Sequence, residues 1–161
     1  MNIKEEIRRM CREKNAVIMA HYYTDGEIQD MADFVGDSLA LAQKAATTDA
    51  DIIVMCGVHF MGETSKILCP DKKVLVPDLE ATCSLAESCP ADKFAEFVAE
   101  HPGHTVISYV NTTAATKAVT DIVVTSSNAR EIVESLPQDT PIIFGPDRNL
   151  GGYINSITGR N

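Results

Sequence analysis

The sequence predicts an α/β fold in which short parallel sheets are covered by helices on both faces. Short apolar runs alternate with segments of helical period along the whole chain. The runs lack the strict alternation of apolar and polar residues that marks a half-exposed strand, which is typical of parallel strands buried on both faces. The two halves of the chain also share one order of such segments, which favours a repeated unit.

The predicted elements begin with a charged helix in "MNIKEEIRRMCREKN". Strands are predicted in the runs "AVIMA", "DFVG", "DIIVMCG", "KVLVPD", "HTVISYV", "DIVVTS" and "TPIIFG". Helices are predicted between and after them in "SLALAQKAA", "FMGETSKIL", "PADKFAEFVAEH", "NAREIVESL" and "NLGGYINSI". Because strands that alternate with helices are joined by crossover connections, we expect parallel sheets.

An internal repeat is predicted from polar residues that recur at matching places. The shared frame is D-x-V-x-x-S, and farther along a Met-Gly pair lies opposite a Leu-Gly pair. Any two α/β units have a similar alternation of strands and helices, so chance similarity is the alternative to duplication. The match of polar residues at strand ends favours duplication. The aligned pairs are His21 and Tyr109, Asp33 and Asp121, Val35 and Val123, Ser38 and Ser126, Met61 and Leu150, and Gly62 and Gly151.

The composition limits the classes of function. The chain of 161 residues is 45% hydrophobic, enough to bury a core as one domain or two small ones, and its formal net charge is −9. This charge argues against nucleic-acid binding, which depends on lysine and arginine. No apolar run approaches the length of a membrane span, and the amino-terminal helix lacks the apolar stretch of a signal peptide. We therefore predict a cytoplasmic protein with no nucleic-acid or membrane partner.

The five cysteines have irregular spacing, which does not predict a disulfide framework. Cys83 lies in "DLEATCSLAESCP", where acidic residues and the absence of Lys, Arg and His give a thiol little support as a nucleophile. A metal would supply the missing positive charge, but the chain has no C-x-x-C pair, so any partner ligands must come from far away in the sequence.

Polar residues follow several predicted strands, at the edge where ligands collect in open α/β sheets. A serine that opens a helix can simply be an N-cap, worth about 1 kcal/mol. Helix amides together with a hydroxyl also suit a phosphate or a carboxylate, so an anion site is the second interpretation. A histidine at a strand end can likewise be a packed side chain. The candidates are His21, Tyr22, Tyr23, Ser38, Tyr109, Asn111, Ser126 and Ser127, with His59, Asp30, Asp33 and Asp37 as weaker ones.

Several long motifs, in order, resemble the quinolinate synthase (NadA) family of NAD biosynthesis. The motifs are "AHYYTDGEIQDMADFVGDS", "CGVHFMGETSKIL", "PDLEATCSLAESCP", "SYVNTTAATKA", "TSSNA" and "FGPDRNLGGYI". The resemblance runs from about residue 16 to the end of the sequence. It implies a transferase that condenses iminoaspartate with dihydroxyacetone phosphate, losing phosphate and water to form quinolinate.

The same resemblance implies three pseudo-equivalent three-layer αβα units, related by pseudo-threefold symmetry around a central active site. It also implies a 4Fe-4S cluster held by one cysteine from each unit, with one iron open as a Lewis acid. By motif position Cys83 is the cluster ligand of this chain, whereas Cys89 is not expected to ligate. Cys11, Cys56 and Cys69 are then small buried side chains. An iminoaspartate-producing oxidase or dehydrogenase is the implied protein partner.

The resemblance also implies roles for the polar residues at the strand ends. Tyr23, His21 and Tyr109 are the candidates for proton transfer, with the acid and base roles left open. The implied substrate-binding residues are His21 and Ser38 in the first unit and Tyr109, Asn111 and Ser126 in the second.

We expect residues 1–90 to form a first αβα unit and residues 91–161 a second, incomplete one. The first unit has the strand "KVLVPD" after its third helix, and the second has no counterpart within the sequence. The third unit, which should carry the other two cluster cysteines and a histidine–glutamate motif, is expected outside this chain. We therefore expect a fragment without synthase activity of its own. The alternatives are a truncated anion-binding module and one half of a split enzyme.

Overall fold

The computed structural model describes residues 2–160. These residues form an α/β protein with two short parallel sheets flanked by helices, which confirms the predicted fold class at this level. The chain divides into two compact units between Thr82 and Cys83. The domain boundaries at residues 90 and 91 stay a prediction for the whole protein.

The first unit contains a four-stranded parallel sheet with the strand order β2-β1-β3-β4. Its strands coincide with predicted runs, except that β1 extends one residue further to His21, and the short helix α2 was not predicted. The elements are α1 (Ile3–Glu13), β1 (Ala16–His21), α2 (Gly26–Gln29), β2 (Phe34–Gly36), α3 (Ser38–Thr47), β3 (Ile52–Cys56), α4 (His59–Leu68) and β4 (Lys73–Leu75).

The second unit contains a three-stranded parallel sheet with the strand order β6-β5-β7. The three strands again lie in predicted runs, and the short helices α5 and α7 were not predicted. The elements are α5 (Ser84–Glu87), α6 (Ala91–Glu100), β5 (Thr105–Tyr109), α7 (Ala114–Lys117), β6 (Ile122–Val124), α8 (Ala129–Ser135), β7 (Ile142–Gly145) and α9 (Arg148–Thr158).

The central strands are buried on both faces, as the apolar runs predict. Residues 17–20 of β1 are all buried, as are residues 106–108 of β5. Successive strand residues point to opposite faces of a sheet, so an unbroken buried run requires cover on both sides. The core of the second unit consists of Ile107, Val124, Ala129, Val133 and Ile154.

Two aspartates place the second strand of each sheet against its first in the same way. The Asp33 carboxylate accepts a 2.8 Å hydrogen bond from the Ile18 amide, and the Asp33 amide donates to the Ile18 carbonyl. Asp121 makes the same two bonds with Val106. Residues aligned in sequence therefore have the same structural role, which favours duplication over chance similarity.

The N-cap interpretation of Ser38 and Ser126 is wrong. Asp37 caps α3 by accepting a 2.8 Å hydrogen bond from the Ala40 amide, and Ser38 is the first helical residue. The N-cap position of α8 is Asn128, two residues after Ser126. Neither serine therefore occupies the N-cap position at the start of its helix.

No helix within residues 2–160 is long and apolar enough to cross a membrane.

Candidate functional site

In the first unit, two predicted site residues lie at one edge of the sheet. His21 ends β1 and pairs in register with Gly36, which ends β2, and Ser38 follows two residues later. A Cβ placed on Gly57, just beyond β3, would lie 3.5 Å from the His21 Cβ. The carboxyl ends of β1, β2 and β3 therefore lie near His21, as expected for parallel strands.

The His21 ring has a defined hydrogen-bond arrangement. Its Nδ1 accepts a 3.3 Å hydrogen bond from the Tyr23 amide, so the neutral ring carries its proton on Nε2. Burial lowers the pKa of His21, and the Asp37 carboxylate opposes this effect. At neutral pH the side chain is therefore an uncharged imidazole with an N–H donor.

The loop after β1 holds the two tyrosines at the surface. The Gln29 amide donates to the carbonyls of Tyr22 and Thr24, and the Thr24 hydroxyl donates to the His21 carbonyl. The Tyr23 ring lies 4.7 Å from the His21 ring and is 92% exposed. Hydrogen bonds from these side chains to backbone carbonyls therefore fix the loop, while the Tyr23 phenol is exposed and available to a ligand.

In the second unit, three predicted site residues lie at the corresponding edge. Tyr109 ends β5 and pairs with Val124, the last residue of β6. Asn111 follows Tyr109 by two residues, and Ser126 follows Val124 by two residues. The hydroxyl, amide and phenol groups can each hydrogen-bond to an oxyanion or to a substrate nitrogen.

A lysine not singled out from the sequence holds the loop after β5. The Lys117 ammonium donates to the carbonyls of Val110, at 2.9 Å, and Thr112. The Thr112 hydroxyl in turn donates to the Tyr109 carbonyl at 3.0 Å. The loop that carries Asn111 is therefore fixed at several points. A lone lysine on a short helix carries no sequence signal that would have identified this role.

Cys83 lies in contact with one of these predicted residues. Its thiol is half-buried, and the Asn111 side-chain amide donates to Cys83 Sγ over 3.7 Å. The structure therefore brings the candidate metal ligand together with the β5 edge of the second unit. Asp78 and Glu80, which precede it in the sequence, are exposed.

The other cysteines have different surroundings. Burial raises the pKa values of Cys56, Cys89 and Cys11, the last also through the Asp33 carboxylate. Cys69 is buried and donates a 3.2 Å hydrogen bond to the Ala45 carbonyl. Burial confirms the prediction for Cys69, whereas Cys11 and Cys56 are only partly buried.

Within residues 2–160, no cluster of three or more His, Cys, Asp or Glu side chains could hold a metal ion. A groove of about 710 Å³ in the second unit lies along β7 and α9, and its lining includes none of the predicted site residues. The candidate functional residues therefore lie at a polar sheet edge in each unit, each described by itself, and Cys83 lies at the edge of the second unit.

Comparisons with known proteins identify the family. The family model described as NadA, quinolinate synthetase A protein, matches residues 5–161. Quinolinate synthase of Prochlorococcus marinus is 60% identical over 158 residues, covering 98% of this chain and 47% of the relative. The Thermosynechococcus vestitus enzyme is 60% identical over 160 residues, with coverages of 99% and 50%. That of a Cyanothece species is 64% identical over 154 residues, with coverages of 96% and 48%.

The chain spans about half the length of the curated relatives that it matches. The matched region includes both sheets, both polar edges and Cys83. The chain belongs to the NadA quinolinate synthase family.

Proposed function

We propose that the whole protein is a cytoplasmic quinolinate synthase of de novo NAD biosynthesis, which condenses iminoaspartate with dihydroxyacetone phosphate and releases phosphate and water. The observation that carries this proposal is the family match over residues 5–161, at about 60% identity to proteins named quinolinate synthase. The polar groups at the two sheet edges support it, because they suit substrates that carry carboxylates and a phosphate.

In this proposal His21 and Ser38 bind substrate in the first unit, and Tyr109, Asn111 and Ser126 do so in the second. The substrates are anionic and the chain has a net charge of −9, so neutral donors must supply much of the recognition. Hydroxyl, amide and imidazole N–H donors do this without a buried countercharge. A hydrogen bond to a charged group contributes roughly 1.5–3 kcal/mol.

His21 is proposed as a donor rather than a base in the arrangement seen here. Its Nδ1 is engaged by the Tyr23 amide, so Nε2–H faces outward from that bond and can donate to a carboxylate, carbonyl or phosphate oxygen. The phenols of Tyr23 and Tyr109 are the remaining candidates for moving protons during the dehydrations. The reaction requires both substrates to be held together. Loops fixed by hydrogen bonds favour this because they limit the motion of the groups that bind the substrates.

The family's 4Fe-4S cluster fits this chain only in part. Cys83 is a half-buried free thiol whose sulfur accepts an amide N–H, an environment compatible with a cluster thiolate. Residues 2–160 offer no cluster of three or more ligands, so the other ligands must come from elsewhere. When bound, the cluster would supply an open iron that acts as a Lewis acid toward a substrate oxygen. Asn111 would orient the Cys83 sulfur.

We further propose that the whole protein has three such αβα units with pseudo-threefold symmetry, and that this chain alone lacks synthase activity. An iminoaspartate-producing oxidase or dehydrogenase would supply the unstable imine. A truncated anion-binding module is the second candidate, because both sheet edges are present in a chain that spans half of its relatives. One half of a split enzyme is the third.

The test is a pair of variants in the full-length protein after anaerobic reconstitution. Cys83→Ser should remove the visible absorption of the cluster, lower the iron content and abolish quinolinate formation. Cys89→Ser is the matched control, and it should keep all three. The reverse result would assign the ligand to Cys89. A wild-type protein that forms no quinolinate would overturn the proposed reaction.

The 161-residue chain distinguishes the alternatives. Quinolinate formation by this chain alone would contradict the proposed inactivity. Calorimetric binding of dihydroxyacetone phosphate without iron or turnover would support the binding module. Co-purification of a separate polypeptide that carries two cysteines would support the split enzyme.

A further inference from the structure

We propose that Gln29 and Lys117 are positioning residues. Each fixes the loop that follows the first strand of its own unit, and so holds Tyr23 or Asn111 in place for the substrates. The inference rests on the proposed function, because that function gives Tyr23 a role in proton transfer and Asn111 a role in substrate binding.

The internal repeat puts these residues at matching positions. The alignment of the two halves, continued without a gap from the strand ends, pairs Tyr23 with Asn111 and Gln29 with Lys117. Gln29 is the last residue of α2, and Lys117 is the last residue of α7. Two side chains of unlike charge therefore occupy one place in the fold. The property that they share is the ability to donate several N–H hydrogen bonds.

In the first unit, Gln29 bonds to the backbone on both sides of Tyr23. Its Nε2 donates to the Tyr22 carbonyl at 3.0 Å and to the Thr24 carbonyl at 2.7 Å. The Thr24 hydroxyl donates to the His21 carbonyl at 2.9 Å. We call the stretch from Tyr22 to Thr24 the Tyr23 loop. Its two outer carbonyls are held by one side chain, which restricts the peptide groups on either side of Tyr23.

In the second unit, Lys117 makes the aligned set of bonds. Its ammonium donates to the Val110 carbonyl at 2.9 Å and to the Thr112 carbonyl. The Thr112 hydroxyl donates to the Tyr109 carbonyl at 3.0 Å. We call the stretch from Val110 to Thr112 the Asn111 loop. Each of these donors and acceptors aligns with one in the first unit, so a single arrangement fixes both loops.

The middle residue of each loop depends on its backbone for direction. The Tyr23 side chain is 92% exposed, so packing does little to orient it, and its amide donates to His21 Nδ1 at 3.3 Å. The Asn111 amide reaches Cys83 Sγ over 3.7 Å. Both contacts require the loops to keep their shape. Restricting the motion of groups that act on a substrate raises the rate of its reaction.

The alternative is a structural role alone, in which the bonds of Gln29 and Lys117 stabilise the loops but do not affect catalysis. That alternative predicts a lower free energy of unfolding with unchanged kinetic constants in the folded enzyme. A positioning role predicts changed kinetic constants, and the constant that changes should follow the side chain that each loop carries.

The test is steady-state kinetics of the full-length protein after each donor is removed. Gln29→Leu should lower kcat for quinolinate formation by roughly 10- to 100-fold and change KM by less than about threefold, because Tyr23 is proposed for proton transfer. Lys117→Met should raise KM by roughly tenfold, with a smaller effect on kcat, because Asn111 is proposed to bind substrate. Kinetic constants within about twofold of wild type for either variant would overturn the proposal.

Exchanging the two side chains provides conservative variants. Lys117→Gln and Gln29→Lys each keep an N–H donor, so kcat and KM should stay within about threefold of wild type. Lys117→Gln also removes the positive charge. A rise in KM as large as that of Lys117→Met would therefore assign Lys117 to attraction of the anionic substrates and overturn the shared role. Gln43→Leu and Lys93→Met, at exposed positions, are the matched controls and should change neither constant.

Amide hydrogen exchange without substrate tests the loops independently of the reaction. The Tyr23 loop should exchange roughly three- to tenfold faster in Gln29→Leu, and the Asn111 loop should do so in Lys117→Met. Unchanged exchange in both loops would overturn the proposal even if activity falls. A wild-type protein that forms no quinolinate, in which both loops respond as expected, would instead overturn the proposed function and support the fixing of the loops by these two side chains.

Discussion

The two units share one strand order around β1 and β5 but differ beyond β3 and β7. Both have a second strand fixed by an aspartate, and both carry polar residues where the first two strands end. The first unit adds β4, and the described part of the second does not. The candidate site therefore depends on the part of the fold that the units share.

The largest expected difference between the units lies in their buried isoleucines. Ile53 is 0% exposed between β1 and β4, whereas Ile143 is 7% exposed in a strand with one described neighbour. Ile53→Ala should lower the free energy of unfolding by roughly 3–5 kcal/mol, and Ile143→Ala by roughly 2–3 kcal/mol. Urea denaturation of the 161-residue chain, followed by circular dichroism, measures the unfolding free energy of both variants. Equal losses would mean that the open edge of β7 does not loosen its surroundings.

The paired aspartates give the next largest effect. Asp121→Ala removes a carboxylate that accepts a 2.8 Å hydrogen bond from the Val106 amide, and should cost roughly 1.5–3 kcal/mol of unfolding free energy. Asp33→Ala should cost a similar amount, plus at most about 1 kcal/mol for its partly exposed ion pair with Arg8. The exposed Asp71→Ala is the control in the same urea experiment. A loss of stability at only one aspartate would mean that Asp33 and Asp121 do not have the same structural role in their units.

Gly62 of α4 and Gly152 of α9 differ in the room beside them, although the residue aligned with Gly62 is Gly151, whose added Cβ would lie 3.1 Å from Phe144 Cδ1. Gly62→Ala brings a Cβ against Val76, so overpacking of roughly 1–3 kcal/mol should outweigh the gain in helix propensity. Gly152→Ala meets nothing within 4 Å and should stabilise the 161-residue chain by up to about 1 kcal/mol. The midpoint of thermal unfolding should thus fall for the first variant and rise for the second. A rise for both would mean that Val76 moves aside freely.

The smallest effect concerns the protonation of His21. Burial lowers its pKa below about 6.5, so the unfolded chain binds this proton at higher pH than the folded one. Its contribution to stability is therefore present above pH 6.5 and declines as the pH falls through the folded pKa. An NMR titration of the His21 ring should give a midpoint below 6.5, and His21→Gln should flatten the pH dependence of stability between pH 7 and 5. A midpoint above 6.5 would mean that Asp37 outweighs burial.

The strands were predictable from the sequence because burial on both faces produces continuous apolar runs, such as residues 17–20. The repeat was predictable because Asp33 and Asp121 both hydrogen-bond to backbone, which requires one residue type at one place. The N-cap residues could not be predicted, because Asp37 and Asn128 each lie next to a serine, and serine has a similar preference for the N-cap position. The contact of Cys83 with Asn111 and the bonds of Lys117 depend on tertiary folding, which leaves no local pattern.

The central proposal is that both sheet edges bind substrate in the full-length protein. The most direct measurement is kcat/KM for quinolinate formation by the full-length protein with Ser38→Ala and with Ser126→Ala. Ser135→Ala and Ser156→Ala, exposed serines on α8 and α9, are the matched controls. Loss of one hydrogen bond to a charged substrate group predicts a decrease of roughly 10- to 100-fold for each edge variant, and less than about twofold for each control. Values within about twofold of wild type for both edge variants would contradict the claim.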